Sequence, residues 1–219
     1  MGFGLLFIGY FFLLFFPLAS LDVLPNLSVI GCLLMFSGIR RLIHYCADCR
    51  GFVYAKYALI VLSALAIACL GLDIAELDAA LSDGIAKNFA KPLAVASEVT
   101  IGVFSILLML GIHKLATDVK LPKISAGAVR HITALSVFVL LTLISGIGGI
   151  LAPDTTSTQL ITLLNTSDFF AFILEYICLI WNLAFIYSCY MRICLEGDED
   201  MPAREDLFDK IIAWTKRNR

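Results

Sequence analysis

Two glutamates lie where carboxylates are expensive. Glu98 and Glu175 each fall six or seven residues inside an otherwise apolar segment. Placing a charge in hydrocarbon costs at least about 2.5 kcal/mol, so such a residue points to a task, here titrating a proton or binding a cation or a cationic solute. Asp73 and Glu76 close a neighbouring apolar segment at the expected level of both glutamates, and Asn182 is a further polar group in the segment that carries Glu175. Gly146, Gly148 and Gly149, in the segment between, permit close helix approach or local unwinding. Glu98, Glu175, Asp73, Glu76 and Asn182 are therefore expected to form an acidic, outward-facing cavity built by the third to sixth hydrophobic segments. The plainer alternative is that both glutamates are hydrated near the interface, or are held by donors such as Ser97, Thr100 or Asn182.

A second constellation is Cys46-Ala47-Asp48-Cys49, preceded by His44. A two-residue spacing lets both sulfurs meet one atom, as zinc ligation or thiol chemistry requires. Cys46 and Cys49 are thus the metal candidates. Cys189 and Cys194 should end the sixth segment at the same depth, and His113 the fourth, so a four-thiol site needs the second and sixth segments to be neighbours. There is no second C-x-x-C, and cysteine is also a common small apolar residue of buried positions. None of the seven cysteines falls in an expected outer loop, which predicts reduced thiols rather than a disulfide framework.

Arg40, Arg41, Lys56, Lys114 and Arg192, with His44, gather at the opposite interface from the glutamates. They could hold an anionic lipid headgroup or a phosphate; ordinary positive-inside anchoring is the favoured account.

The elements that position these groups are transmembrane helices. The chain has 219 residues, 60% of them hydrophobic, and a mean hydropathy of +0.93. Soluble domains run at about 45–50% apolar, and a globule of this size cannot hide such an excess. The net charge of −2 says little; its distribution says more. Arg40, Arg41, Arg50 and Lys56 follow the second segment, and Lys114, Lys120, Lys123 and Arg130 the fourth. Arg192, Arg204, Lys210, Lys216, Arg217 and Arg219 follow the sixth, and only Lys87 and Lys91 break the alternation. Basic side chains resist translocation, so six spans with both termini cytoplasmic are expected, in a plasma or inner membrane.

The spans are expected at about 3–18, 25–45, 52–76, 92–113, 132–152 and 169–192, forming an all-α transmembrane domain over 1–195. Met1-Gly2-Phe3 lacks a basic flank and Leu18-Ala19-Ser20-Leu21 is a poor cleavage site, so the first segment reads as a retained span. Its phenylalanines go all round a helix, which predicts a peripheral, lipid-facing element. The 113–131 segment is expected to be the longest basic loop, and the stretch from Asp154 a Thr/Ser-rich outer loop. Asn26-Leu27-Ser28 and Asn165-Thr166-Ser167 match the glycosylation sequon and face outward on this topology. In the cytoplasmic tail, 196–219, Leu207, Phe208, Ile211, Ile212 and Trp214 recur at helical spacing. This predicts an amphipathic interfacial helix, with residues 203–219 available to a protein partner.

Glu98 and Glu175 stand at matching places in two spans of the same direction, each preceded by an alanine and followed by a base, which hints at related hairpins. No phosphate-binding GxxxxGK[ST], HExxH, GxSxG or arginine ladder is present, and no groove-filling basic arm for nucleic acid. No cofactor is implied. The leading expectation is a small transporter, or a subunit that binds a solute or cation within membrane lipid. The alternatives are a non-catalytic assembly, regulatory or partner subunit, and a thiol- or metal-dependent membrane enzyme.

Overall fold

A computed structural model describes residues 2–18, 28–46, 48–77, 85–151 and 158–193, and within them the regular structure is helical. The helices are α1 (Gly2–Leu18), α2 (Ser28–Tyr45), α3 (Arg50–Leu77), α4 (Ile85–Asp118), α5 (Pro122–Leu151) and α6 (Thr158–Arg192). Four stretches are long and apolar enough to cross a membrane: Arg50–Gly71, Pro92–Asp118, Pro122–Gly146 and Phe169–Arg192. At 1.5 Å per residue the shortest reaches about 33 Å, against a hydrocarbon core of about 30 Å. Helix α1 is apolar but shorter, and α2 carries Arg40, Arg41 and His44 towards its C-terminal end.

Each helix packs on its sequence neighbours, and α1 closes against α6, so the six form a ring. The contacts fix the direction of every pair. Gly2 lies beside Leu42 and Gly9 beside Met35. Cys32 faces Ser63, while Lys56 reaches back to Phe36. Gly51 meets Gly111 and Cys69 meets Ser97. Gly102 meets Val139 and Gly146 meets Val95. Gly127 meets Phe185 and His131 meets Asn182. Gly4 meets Tyr190 and Phe7 meets Tyr187. In every pair one residue number rises as the other falls, so all neighbours are antiparallel. The starts of α1, α3 and α5 and the ends of α2, α4 and α6 therefore share one end of the bundle, the basic one.

Apolar side chains point both ways. Phe52, Leu59, Phe104, Leu108 and Ile112 are fully buried between helices, whereas Phe169, Phe170, Phe172, Ile177 and Ile180 are all more than half exposed. An apolar outer surface this continuous would aggregate in water and suits lipid.

Helix α1 departs from expectation. Phe3, Leu6, Tyr10 and Leu13 recur at three- and four-residue steps and are buried, so α1 is a packed member of the ring and not a peripheral helix. Composition hid this, because a helix face that touches lipid and one that touches another helix are equally apolar. Its seam with α2 is made of glycines. A Cβ at Gly31 would stand 2.8 Å from the Gly9 carbonyl oxygen, and one at Gly38 would stand 2.8 Å from that of Gly2.

The helices also run longer than expected, which removes two expected loops. Helix α4 continues to Asp118 and α5 starts at Pro122, so the 113–131 segment is mostly helix. Pro122 suits a first helical turn, where its missing N–H leaves no bond unmade. The turn itself is a Schellman cap: Leu121 N–H donates to Ala116 C=O at 2.8 Å and Lys120 N–H to Thr117 C=O at 3.1 Å. Lys120 takes the left-handed conformation this requires, with φ of 60°. Glycine holds that conformation without a Cβ penalty. Lys120→Gly is therefore expected to stabilise the protein by about 1 kcal/mol, read as a rise in Tm. Across the turn, His113 Nδ1 lies 2.9 Å from Ser125 Oγ.

Helix α6 starts at Thr158, so Asn165-Thr166-Ser167 is helical instead of lying in an outer loop. The amphipathic tail, the 203–219 docking segment and Asn26 lie outside the described residues.

Candidate functional site: an acidic cavity in the ring

A cavity of about 290 Å³ opens inside the ring towards the end opposite the bases. Helix α4 lines it with Ala94, Ser97, Glu98 and Ile101, and α6 with Phe172, Glu175, Tyr176 and Leu179. Both sets follow one helical face, at steps of three, one and three residues. The parallel spacing places Glu98 and Glu175 in the lining of the same cavity. Glu98 is six residues past Pro92 and Glu175 six past Phe169, so each lies about 9 Å into its apolar stretch.

Helix α3 was expected among the walls; those from α1 and α2 were not foreseen. Leu13 of α1, Ser28 and Cys32 of α2, and Leu62, Ala66 and Cys69 of α3 complete the lining. Helix α5, expected among the builders, contributes no lining residue among the described residues. Its Gly146 lets Val95 of α4 approach instead: a Cβ there would lie 2.5 Å from a Val95 methyl. The glycine serves helix contact rather than cavity opening. Ring order explains both differences. A cavity in the middle of a six-helix ring draws on helices distant in sequence, and segment-by-segment patterns carry no such information.

Ser97 Oγ donates to the Leu93 carbonyl at 2.9 Å and Thr100 Oγ1 to the Ala96 carbonyl at 2.7 Å. Each hydroxyl has a single proton, so neither is left to donate to a glutamate. Asp73 and Glu76 sit on the last turns of α3, beyond Cys69 on the same helix; their side chains are outside the described set.

Asn182 is placed one turn deeper than the lining, in a buried polar layer. His131 Nδ1–H donates to Asn182 Oδ1 at 2.9 Å, and the imidazole packs on Trp181 and Phe185 with ring centroids 4.1 and 4.5 Å away. The Tyr10 hydroxyl bonds the Ser105 hydroxyl from across the ring. Among the described residues Asn182 Nδ2 is buried without a hydrogen bond of ordinary geometry, with Tyr10 beside the Asn182 side chain. His131→Leu is expected to cost about 1–3 kcal/mol, because it orphans Asn182 Oδ1 as well. Adding Asn182→Leu should recover part of that loss, and a double-mutant thermal-unfolding cycle measures the coupling.

The basic residues ring the other end. Arg40 and Arg41 are exposed on α2 and Arg192 on α6. Lys56 Nζ lies 5.9 Å from the ring centroids of Phe36 and Tyr57, and Lys114 Nζ is 2.9 Å from Asp118 Oδ1. Lys56 and Lys114 are thus engaged with protein groups.

The expectation of reduced thiols is corrected at one place: Cys46 and Cys49 form a disulfide. The turn from α2 into α3 sets their Cα atoms 5.4 Å apart, inside the bridgeable range. Cys32, Cys69, Cys178 and Cys189 are free thiols. The four-thiol arrangement needed α2 beside α6, but α1 stands between them in the ring, and His113 is engaged with Ser125. The third group at the pair is Asp118, with a carboxylate oxygen within 4.8 Å of both sulfurs. A metal held by Cys46 and Cys49 would require the bond to be reduced first.

No family model matches this chain, and neither a characterised protein nor a solved structure is significantly similar to it.

Proposed function

We propose that the chain is a six-span integral membrane protein that binds a small cation or cationic solute in its acidic cavity, for passage across the membrane. The observation that carries this is the meeting of Glu98 and Glu175, from separate helices, in one cavity of an apolar ring. Two like charges in a shared low-dielectric site oppose each other. Such a site lowers its energy by taking up a proton or another positive charge. Size narrows the ligand. Pockets for drug-sized molecules run from about 300 to 1,000 Å³, and this cavity stands at the lower limit. A metal cation with part of its hydration, or a small amine, fits; a lipid or a nucleotide does not.

The ring supports a reading of six spans. Helices α1 and α2 are paired level with their neighbours. If the four long helices cross the bilayer, the two short ones are enclosed in the same layer. The basic end then faces the cytoplasm with both termini, in a plasma or inner membrane, and the cavity opens outward.

The test is a thermal-stability series of the purified protein against alkali and alkaline-earth cations and small amines. A ligand that binds only the folded protein raises Tm with its concentration. The rise should fade on acidification, since protons compete for the same carboxylates. Absence of any shift across the series would overturn the proposal.

A further inference from the structure

The α2–α3 corner lies at the end of the bundle away from the cavity, and its chemistry is independent of the glutamates. Cys46 is half-buried, with surface open to the medium, whereas Cys49 is fully buried. Cys49 immediately precedes α3, which begins at Arg50. A sulfur at a helix N-terminus is stabilised as a thiolate by the dipole. The charged groups nearby are Arg50, Asp48 and the Lys114–Asp118 pair, in which the lysine offsets the carboxylate that faces the sulfurs.

The bond has little structural work. Stabilisation by a disulfide grows with the length of chain it closes, and this one spans only two intervening residues, between helices already packed on each other. On the topology proposed above, it also faces the compartment where thiols are kept reduced. Disulfides found there are usually transient, catalytic or redox-sensing.

We infer that Cys46 and Cys49 form a thiol–disulfide exchange site for a small soluble thiol of the glutathione class. The thiolate of the reductant attacks Cys46 Sγ, forming a mixed disulfide. The Cys46–Cys49 bond breaks, and its electron pair leaves on Cys49 Sγ. A second reductant thiolate attacks the reductant's own sulfur in the mixed disulfide and releases Cys46, which takes up a proton. Two thiols are oxidised to one disulfide, and the protein pair gains two electrons. Burial sets the order, because Cys46 keeps exposed surface and Cys49 has none.

The full-length protein in detergent should be equilibrated with glutathione buffers of graded reduced-to-oxidised ratio, acid-quenched, alkylated and mapped by mass spectrometry. The pair is expected to pass reversibly between disulfide and dithiol across the series, while buried Cys32 and Cys178 stay unmodified. With oxidised glutathione, Cys49→Ser should trap glutathione on Cys46 at least tenfold faster than Cys46→Ser traps it on Cys49. A pair that stays oxidised at every ratio overturns the assignment, as does one that cannot be reoxidised. Equal trapping rates overturn the order of attack. Stoichiometric zinc uptake by the reduced protein that blocks reoxidation would replace an exchange site with a metal site of Cys46, Cys49 and Asp118. The wild-type titration needs no variant to fold, and its outcome does not depend on whether the cavity binds a cation.

Discussion

Changing Glu98 and Glu175 together to Gln is expected to abolish cation binding while leaving the bundle intact. Gln keeps the shape of Glu and removes its charge, so the lining of α4 and α6 is retained. A charge-assisted contact contributes about 1.5–3 kcal/mol, and each 1.4 kcal/mol is tenfold in affinity. Losing both carboxylates should weaken binding by more than about 100-fold, and either single variant by about tenfold. The ligand-free protein should melt no lower than wild type, because two carboxyl groups lining an apolar cavity have been replaced by neutral groups of the same shape. Two signatures are then expected together: the cation-induced rise in Tm disappears, and uptake into proteoliposomes falls to background. If the double variant still takes up cation and is still stabilised by it, the cavity is not the binding site. A collapse of Tm without ligand would instead make the glutamates structural.

The second large effect belongs to the α1–α2 seam. A Cβ on Gly9 would stand 2.7 Å from the Gly31 carbonyl oxygen and 2.4 Å from Met35 Cγ, and one on Gly31 would stand 2.8 Å from the Gly9 carbonyl oxygen. Methionine can swing aside; a backbone carbonyl inside a helix moves only with the helix. Gly9→Ala and Gly31→Ala are each expected to cost about 2–3 kcal/mol from overpacking, or a fall in Tm of roughly 4–12 °C for a chain of this size. Gly9→Leu should separate α1 from α2 and open the ring, giving protein that no longer purifies as a single species. Gly71→Ala is the control. Among the described residues nothing lies within 4 Å of a Cβ at Gly71, and alanine is the better helix former by about 0.5–1 kcal/mol. If the seam alanines prove as mild as Gly71→Ala, α1 is not clamped to α2 as described. Because Leu13 of α1 and Cys32 of α2 both line the cavity, the seam alanines should also weaken ligand stabilisation.

Sequence by itself pointed to six spans, of which four described helices are long and apolar enough to cross a membrane; it determined that the protein is helical, that its bases gather at one end, and that Glu98 and Glu175 are out of place in apolar helices. These are local properties. Hydropathy sums over some twenty consecutive residues, and charge can be read residue by residue, so neither depends on which helix lies beside which. Tertiary structure decided the rest. It set α1 between α2 and α6, so that a helix expected at the periphery supplies a cavity wall and Tyr10 of the buried polar layer. It assigned Gly146 to contact with Val95, placed Asn182 below the cavity with His131, and turned Cys46 and Cys49 into a bonded pair. Each of these rests on contacts between residues far apart in the chain or on the path of one tight turn. In lipid the outward and inward faces of a helix are equally apolar, so the neighbours are selected by small residues and polar partners that meet only once the ring has closed.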